Sequence, residues 1–336
     1  MNQRTLGIAA AVGALAGARA LARRARAYEL RDKVVLVTGG SRGLGLVIAR
    51  ELARHGARIA ICARDEDELG RAKLDLIERG AHVIAVPCDL TDRTQIARLV
   101  TTVRDQLGPI EVLVNNAGVI QVGPMELMTL GDYEQAMHTH FWGPLQLTLA
   151  VLPDMRARQA GRIVNITSIG GKIAVPHMLP YTASKFALVG LSEGLREELA
   201  KDGIRVTTVV PGLMRTGSPP NALFKGQHRA EYTWFAIGDS LPITSMSADR
   251  AARQIIDALV HGDPEVTLSI QAKLATRLHG LVPGAVQRLL GLVNRVLPKP
   301  GGIGPASAAG RDSRTPLASS VLTASTERAA ARNNEL

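Results

Sequence analysis

The chain has 336 residues, of which 46% are hydrophobic and 21% charged, a composition that suits a folded globular protein and excludes a disordered or fibrous one. Its net charge of +10 sits at the ends, with +5 in residues 1–35 and +6 in residues 271–336, which leaves −1 for residues 36–270. A neutral centre argues against a nucleic-acid-binding core, while basic ends suggest contact with an anionic surface such as a membrane.

Leu6–Ala18 is uncharged but built largely of Ala and Gly, and it is shorter than the about 20 apolar residues a spanning helix needs. Arg19, Arg23, Arg24 and Arg26 follow. Positive charge there holds that side in the cytoplasm and argues against a cleaved export signal, although Ala18, Ala20 and Ala22 imitate a cleavage site. Residues 1–30 therefore read either as a weak membrane anchor or surface helix, or as a disordered leader.

Residues 31–270 alternate between strand and helix. Strand-like runs fall at Val34–Val37, Arg58–Cys62, His82–Pro87, Val112–Asn115, Arg162–Thr167, Arg205–Val210 and Glu265–Ser269. Helical periodicity fills Leu44–Arg54, Glu66–Arg79, Arg93–Gln106, Leu130–Arg158, Tyr181–Lys201 and Ala248–His261. This alternation predicts a single α/β domain, a doubly wound parallel sheet of seven strands, with its ligand crevice beyond the C-terminal strand ends. Cys62 and Cys88 end apolar runs and read as buried thiols, with no disulfide and no metal site expected. In residues 271–298, Val286, Leu289, Leu290, Val293 and Leu297 share one helical face opposite Arg288 and Arg295. That segment either packs over the substrate mouth or lies on a membrane. Residues 299–336 lack periodicity and are expected to be disordered.

Three features carry chemistry. Thr38–Gly45, Thr-Gly-Gly-Ser-Arg-Gly-Leu-Gly, stands between a strand and an amphipathic helix, the setting in which glycines admit a dinucleotide pyrophosphate to a helix N-terminus. At the second strand end, where an acid would bind a ribose hydroxyl, Ala63 is followed by Arg64. Arg64 and Arg42 thus point to the 2′-phosphate of NADP(H) over NAD. Tyr181 and Lys185 lie four apart at a helix start, so an ammonium on the same face is expected to lower the phenol towards working pH. Ser168 ends a strand and offers a hydroxyl to the same substrate oxygen, unless it is only a turn or cap serine.

Together, Thr38–Gly45, Asn115-Asn-Ala-Gly118, Ser168, Tyr181-x-x-x-Lys185 and Pro211-Gly212 resemble the short-chain dehydrogenase/reductases over about residues 31–270. The resemblance implies a Rossmann-like fold and hydride transfer between NAD(P) and an alcohol or carbonyl. It makes Tyr181 the acid/base, Lys185 its partner on the nicotinamide ribose, and Ser168 the ligand of the substrate oxygen. It implies cofactor contacts from Gly39, Ser41, Arg42, Gly43, Leu44, Gly45 and Leu90, and assigns Asp89 to the adenine. It assigns Asn115, Ala117 and Gly118 to the sheet and cofactor, and Pro211, Gly212 and Thr216 to the nicotinamide side, where Tyr181 and Lys185 also meet the cofactor. It also implies dimers or tetramers through Leu130–Arg158 and Tyr181–Lys201. His140 departs from the pattern, because the family usually carries there the Asn of a catalytic tetrad. The imidazole either joins the proton path behind Lys185, titrating near its reference pKa of about 6.5, or merely packs. The lid expected over Leu213–Ser247 holds Leu223, Phe224, Trp234, Phe235 and Ile237, which favours a hydrophobic, lipid-like substrate. The rival is a catalytically inactive NADP-binding regulator or membrane-surface scaffold, which would have no need of Ser168, Tyr181 and Lys185 together.

Overall fold

Strand β1 (Val34–Thr38) is buried at every position, which is why it reads as an unbroken apolar run rather than an alternation. Val35 and Val37 enter one apolar cluster, Val34 and Leu36 the other. The computed structural model in which β1 is central describes residues 17, 18, 21, 23, 25, 27–241, 245–319 and 323–335. The other main strands are β2 (Arg58–Ala63), β3 (His82–Pro87), β4 (Val112–Asn115), β5 (Gly161–Ile166), β6 (Ile204–Val210) and β7 (Glu265–Thr267). They form one seven-stranded sheet, in the order β7-β6-β5-β4-β1-β2-β3, with every neighbouring pair parallel. The chain runs outward from β1 to β3 and then returns past β1 to β4. That reversal opens a crevice beyond the C-terminal ends of β1 and β4.

Helices α1 (Gly43–Arg54), α2 (Glu66–Glu78) and α8 (Ala248–His261) cover one face of the sheet. Helices α3 (Arg93–Leu107) and α5 (Gly143–Ala157) cover the other, with the end of α6 (Leu179–Leu199) beside them. Asp65 caps α2 at the Glu68 amide, and Asp92 caps α3 at the Thr94 and Gln95 amides. Helix α1 starts differently. Arg42 stands at its N-cap with no side-chain bond to the helix, and its first turn holds no acid. The positive end of α1 thus faces the crevice without a side-chain cap or an acid of its own.

The structure departs from the sequence reading in two places. The helix expected over Leu130–Arg158 is two, α4 (Leu130–Met137) and α5, joined by a π-helical turn at His138–Trp142. Over residues 271–298, where amphipathic helices are expected, lie α9 (Ile270–Leu281) and α10 (Pro283–Asn294), with Pro283 starting the second. The tail expected to be disordered is ordered in its described parts. Ala308–Ala309 pairs with Leu223–Phe224, and α11 (Ala324–Arg332) buries Thr326, Ala329 and Ala330. Small residues give no periodic signal, yet they fit closely into a groove that the rest of the chain provides. Of the expected leader, residues 1–16, 19, 20, 22, 24 and 26 lie outside the described residues; Arg23 is paired with Asp257 and Asp263 at 2.5 and 2.7 Å. Among the described residues no helix is long and apolar enough to cross a membrane.

Candidate active site

The glycine-rich turn is a cradle from which side chains are excluded. Gly39 has φ +61°, and a Cβ there would lie 2.9 Å from the Ala117 Cα. A Cβ on Gly45 would strike the Gly39 carbonyl and the Asn116 amide. Helix α1 therefore starts directly against the ends of β1 and β4. Leu44 is buried at that start. This arrangement fits a dinucleotide, whose pyrophosphate needs bare backbone and helix N–H donors.

The remaining expected cofactor residues surround the same crevice, with unequal freedom. Arg64 is exposed at the end of β2. Arg42 instead donates to Glu68 Oε1 at 2.6 Å and to Asn221 Oδ1 at 3.1 Å, and Ser41 Oγ donates to Glu68 as well. Arg42 is thus already engaged by a carboxylate, which its position in the sequence did not reveal. Asp89 accepts from the Thr91 amide and hydroxyl, and Leu90 packs in the core behind it. Asn115 donates to Asn165, which donates to Ser192, tying β4 to β5 and α6. The Pro211 carbonyl accepts from the Ile169 amide, and Gly212 lies so close to Ser269 that a Cβ would be 2.8 Å from its hydroxyl. Thr216 is buried.

Ser168, Tyr181 and Lys185 come together as expected. Ser168 follows β5 and accepts the Gly170 amide at 3.0 Å, and its Oγ and the Tyr181 ring flank the same glycine, where a Cβ would meet them at 3.4 and 3.1 Å. Lys185 is buried and donates to the Ile166 carbonyl at 2.9 Å. Its Nζ is 5.7 Å from the centre of the Tyr181 ring. The expected direction of the Tyr181 shift is reversed. Burial raises the phenol above its ordinary value, against the lowering effect of Ser168, and burial also brings Lys185 down to about 7. Loss of water outweighs charge pairing here, because both groups are withdrawn from solvent together.

His140 projects from the π turn into this cluster and is fully buried. The Val119 amide donates to its Nε2 at 3.1 Å. An amide can only donate, so Nε2 carries the lone pair and the proton of the neutral ring sits on Nδ1. Nδ1 lies 2.8 Å from Ser184 Oγ, which in turn donates to the Tyr181 carbonyl. Both nitrogens are satisfied by the neutral ring. Burial, with the Lys185 charge adding to it, holds His140 well below its ordinary 6.5. The expectation of a titration near 6.5 fails for that reason, and the geometry gives the ring a positioning role.

Sequence reasoning missed several residues at the crevice. Ser184 links His140 to α6 and carries no motif of its own. Asp239, on the lid helix α7 (His228–Ser240), is buried; its Oδ1 accepts the Met214 amide at 3.2 Å and its Oδ2 has no partner among the described residues. Desolvation pushes Asp239 up to about 7, the Met214 bond opposing, and its charge adds to the rise of Tyr181. Asn333, Asn334 and Glu335 close on the glycine turn from the tail. Of the lid aromatics, Phe224 and Phe235 belong to a satellite core with Tyr232 and Met178, so their apolarity serves packing. Tyr181 and Trp234 lie against that core.

A family profile described as short chain dehydrogenase matches residues 33–222. The chain is 37% identical over 264 residues to a dehydrogenase/reductase SDR family protein 7-like of Anopheles gambiae, covering 76% of this chain and 81% of that one. Among solved structures, a short-chain dehydrogenase from Streptomyces avermitilis is 32% identical, with a TM-score of 0.67 over 78% of this chain and 97% of that one. A single-substitution variant of the actinorhodin polyketide ketoreductase, solved with NADPH, is also 32% identical, with a TM-score of 0.63 over 72% and 97%.

The neutral His140 has a consequence for stability. Its folded pKa is depressed, so between that value and the unfolded 6.5 the unfolded chain binds the extra proton. The ring's contribution is complete above pH 6.5 and declines as pH falls below it. Urea midpoints of the parent minus those of His140→Asn should therefore shrink from pH 7.5 to pH 5. His140→Ala strands the Val119 amide and the Ser184 hydroxyl and should cost about 2–4 kcal/mol at pH 7.5. A difference that stays constant with pH would mean that the ring is not held neutral.

Proposed function

Because the chain belongs to the short-chain dehydrogenase family, and is thus an oxidoreductase of CH–OH and carbonyl groups, we propose that it is an NADP(H)-dependent reductase of an apolar ketone or aldehyde. The observation that carries this reading is the group of buried Ser168 and Lys185 with partly buried Tyr181, opposite the glycine-lined N-terminus of α1. A bound nicotinamide would supply or accept the hydride. Tyr181, raised by burial, keeps its proton at neutral pH and suits proton donation to a carbonyl oxygen. Ser168 holds that oxygen beside the phenol, and Lys185 faces the ribose side. Tyr181→Phe should lower kcat by about 10²- to 10⁴-fold with NADPH affinity nearly unchanged. A mutant keeping most of its activity would remove Tyr181 from the role of acid.

Preference for the phosphorylated cofactor rests on exposed Arg64 and on Ala63 in place of an acid at the strand end; of the acids that follow, Asp65 is turned to cap α2 at the Glu68 amide and Glu66 lies in its first turn. Arg42 contributes only if Glu68 yields it. A charge-assisted bond from Arg64 implies about 10- to 100-fold tighter binding of NADPH than of NADH. Arg64→Asp should reverse the order in a fluorescence titration, and equal affinities in the parent would contradict the charge argument.

A membrane-surface location is the second reading, and α9 with α10 favours it. Their leucines face outward, among them Leu274, Leu278, Leu289 and Leu292, with Leu281 81% exposed and Val296 just beyond at 83%. No acid occurs between residues 266 and 311, whereas Lys273, Arg277, Arg288, Arg295 and Lys299 do. An apolar face among cations suits an anionic bilayer. Helix α9 begins against Gly212, so an apolar substrate would enter from that side. Copies of the chain would pair elsewhere, through α5 and α6, where Leu149 and Phe186 are exposed. The full chain should sediment with phosphatidylglycerol vesicles and far less with phosphatidylcholine, and Leu278→Glu with Leu289→Glu should release it. A parent that ignores both vesicles and self-associates through these leucines would make the covering partner a second copy.

A further inference from the structure

The tail does more than pack on the lid. Helix α11 lies on the backbone of the turn after Thr216, where a Cβ on Gly217 would collide with Ala330. Beyond α11 the chain turns through Asn334 at φ +59°, a left-handed conformation that Asn tolerates better than most residues. Asn333 Nδ2 donates to the Thr216 carbonyl at 3.2 Å, and Arg50 donates to Asn333 Oδ1 at 3.2 Å. Asn334 Nδ2 donates to the carbonyls of Ser41 at 2.8 Å and Glu68 at 2.9 Å. Arg71 donates to Asn334 Oδ1 at 2.8 Å. Asn333 and Asn334 thus bridge the glycine turn, α1, α2 and the lid.

What they bring to Gly43 is specific. The Gly43 amide, at the first residue of α1, donates to the Asn333 carbonyl at 2.9 Å. The Glu335 carboxylate lies where a Cβ on Gly43 would be, held by Asn221 at 2.7 Å with Arg42 3.7 Å away. Glu335 is 8% exposed. A side-chain-free glycine at a helix N-terminus without a side-chain cap is suited to an anion, and here a carboxyl-bearing segment of the same chain fills it.

Resting on the reading of this crevice as the dinucleotide site, we propose that Asn333–Glu335 is an internal occupant of the pyrophosphate seat, which the cofactor must displace to bind. Were the tail instead to fold over a bound dinucleotide, it would leave the Gly43 amide and the space above it open. It takes both. Burial raises the Glu335 carboxyl to about 7, so the exclusion is one of space: a pyrophosphate cannot enter where Glu335 and the Asn333 carbonyl already sit, and tail and cofactor exclude each other. The apparent affinity for the cofactor then falls by the fraction of molecules in which the tail is seated.

The test uses the full chain. Glu335→Ala removes the carboxyl, and Asn334→Val disfavours the left-handed turn and removes the bonds to the Ser41 and Glu68 carbonyls, while every residue of the glycine turn stays unchanged. NADPH dissociation constants come from nicotinamide fluorescence, and hydrogen exchange of residues 323–335 is followed with and without NADPH. Both variants should bind NADPH about tenfold more tightly than the parent. In the parent, NADPH should speed exchange across 323–335. Unchanged or weaker binding by both variants, or slower exchange in 323–335 on adding NADPH, would overturn the proposal. If parent and variants all bind neither NADPH nor NADH, the cofactor reading itself fails and the proposal falls with it.

Discussion

The close approach of α1 to the ends of β1 and β4 sets the geometry of everything around the crevice. It exists because Gly45 lets the helix touch the Gly39 carbonyl and Gly39 lets the turn touch Ala117. Asn116 holds the contact by donating to the carbonyls of Thr38 and Gly39, and Thr38 Oγ1 accepts the amides of Asn116 and Ala117. With α1 fixed there, its first amides and partial positive charge are aimed at one spot. The Asn115–Asn165–Ser192 chain then fixes β5 and α6 relative to β4, and so places Ser168 and Tyr181 across from that spot.

Desolvation governs the chemistry on the far side of the crevice. Lys185, Tyr181, His140 and Asp239 all shift in the direction that favours the neutral form, each with burial as the largest cause. A neutral phenol is a proton donor, so the electrostatics lean towards carbonyl reduction. The π turn contributes by bringing His140 under Val119 and Ser184, where a regular helix would have rotated the ring away.

Much of this was legible in the residues. Strands buried on both faces announce themselves as apolar runs, and Ser168, Tyr181 and Lys185 keep spacings that a strand end and one helix face make meaningful. The π turn was not legible, since one extra residue per turn hardly disturbs the apolar pattern from Leu130 to Arg158. Neither was the tail. Ala330 and Asn333 have no amphipathic period, and their burial depends on a groove formed by Gly217, Thr216, Gly43 and Arg50 from distant parts of the chain. The engagement of Arg42 by Glu68 crosses from the glycine turn to α2, beyond any local pattern. The sign of the Tyr181 shift depends on burial depth, which a four-residue spacing does not encode.

The central claim is that this crevice delivers a hydride from a nicotinamide while Tyr181 delivers the proton. Its most direct test follows the label rather than the rate. The full chain is incubated with an apolar ketone and NADPH deuterated at nicotinamide C4, each C4 epimer in turn, and the alcohol is examined by mass spectrometry. The account predicts deuterium on the carbinol carbon from one epimer alone. Alcohol unlabelled from both epimers, or no alcohol across a panel of apolar ketones and aldehydes with NADPH demonstrably bound, would contradict it.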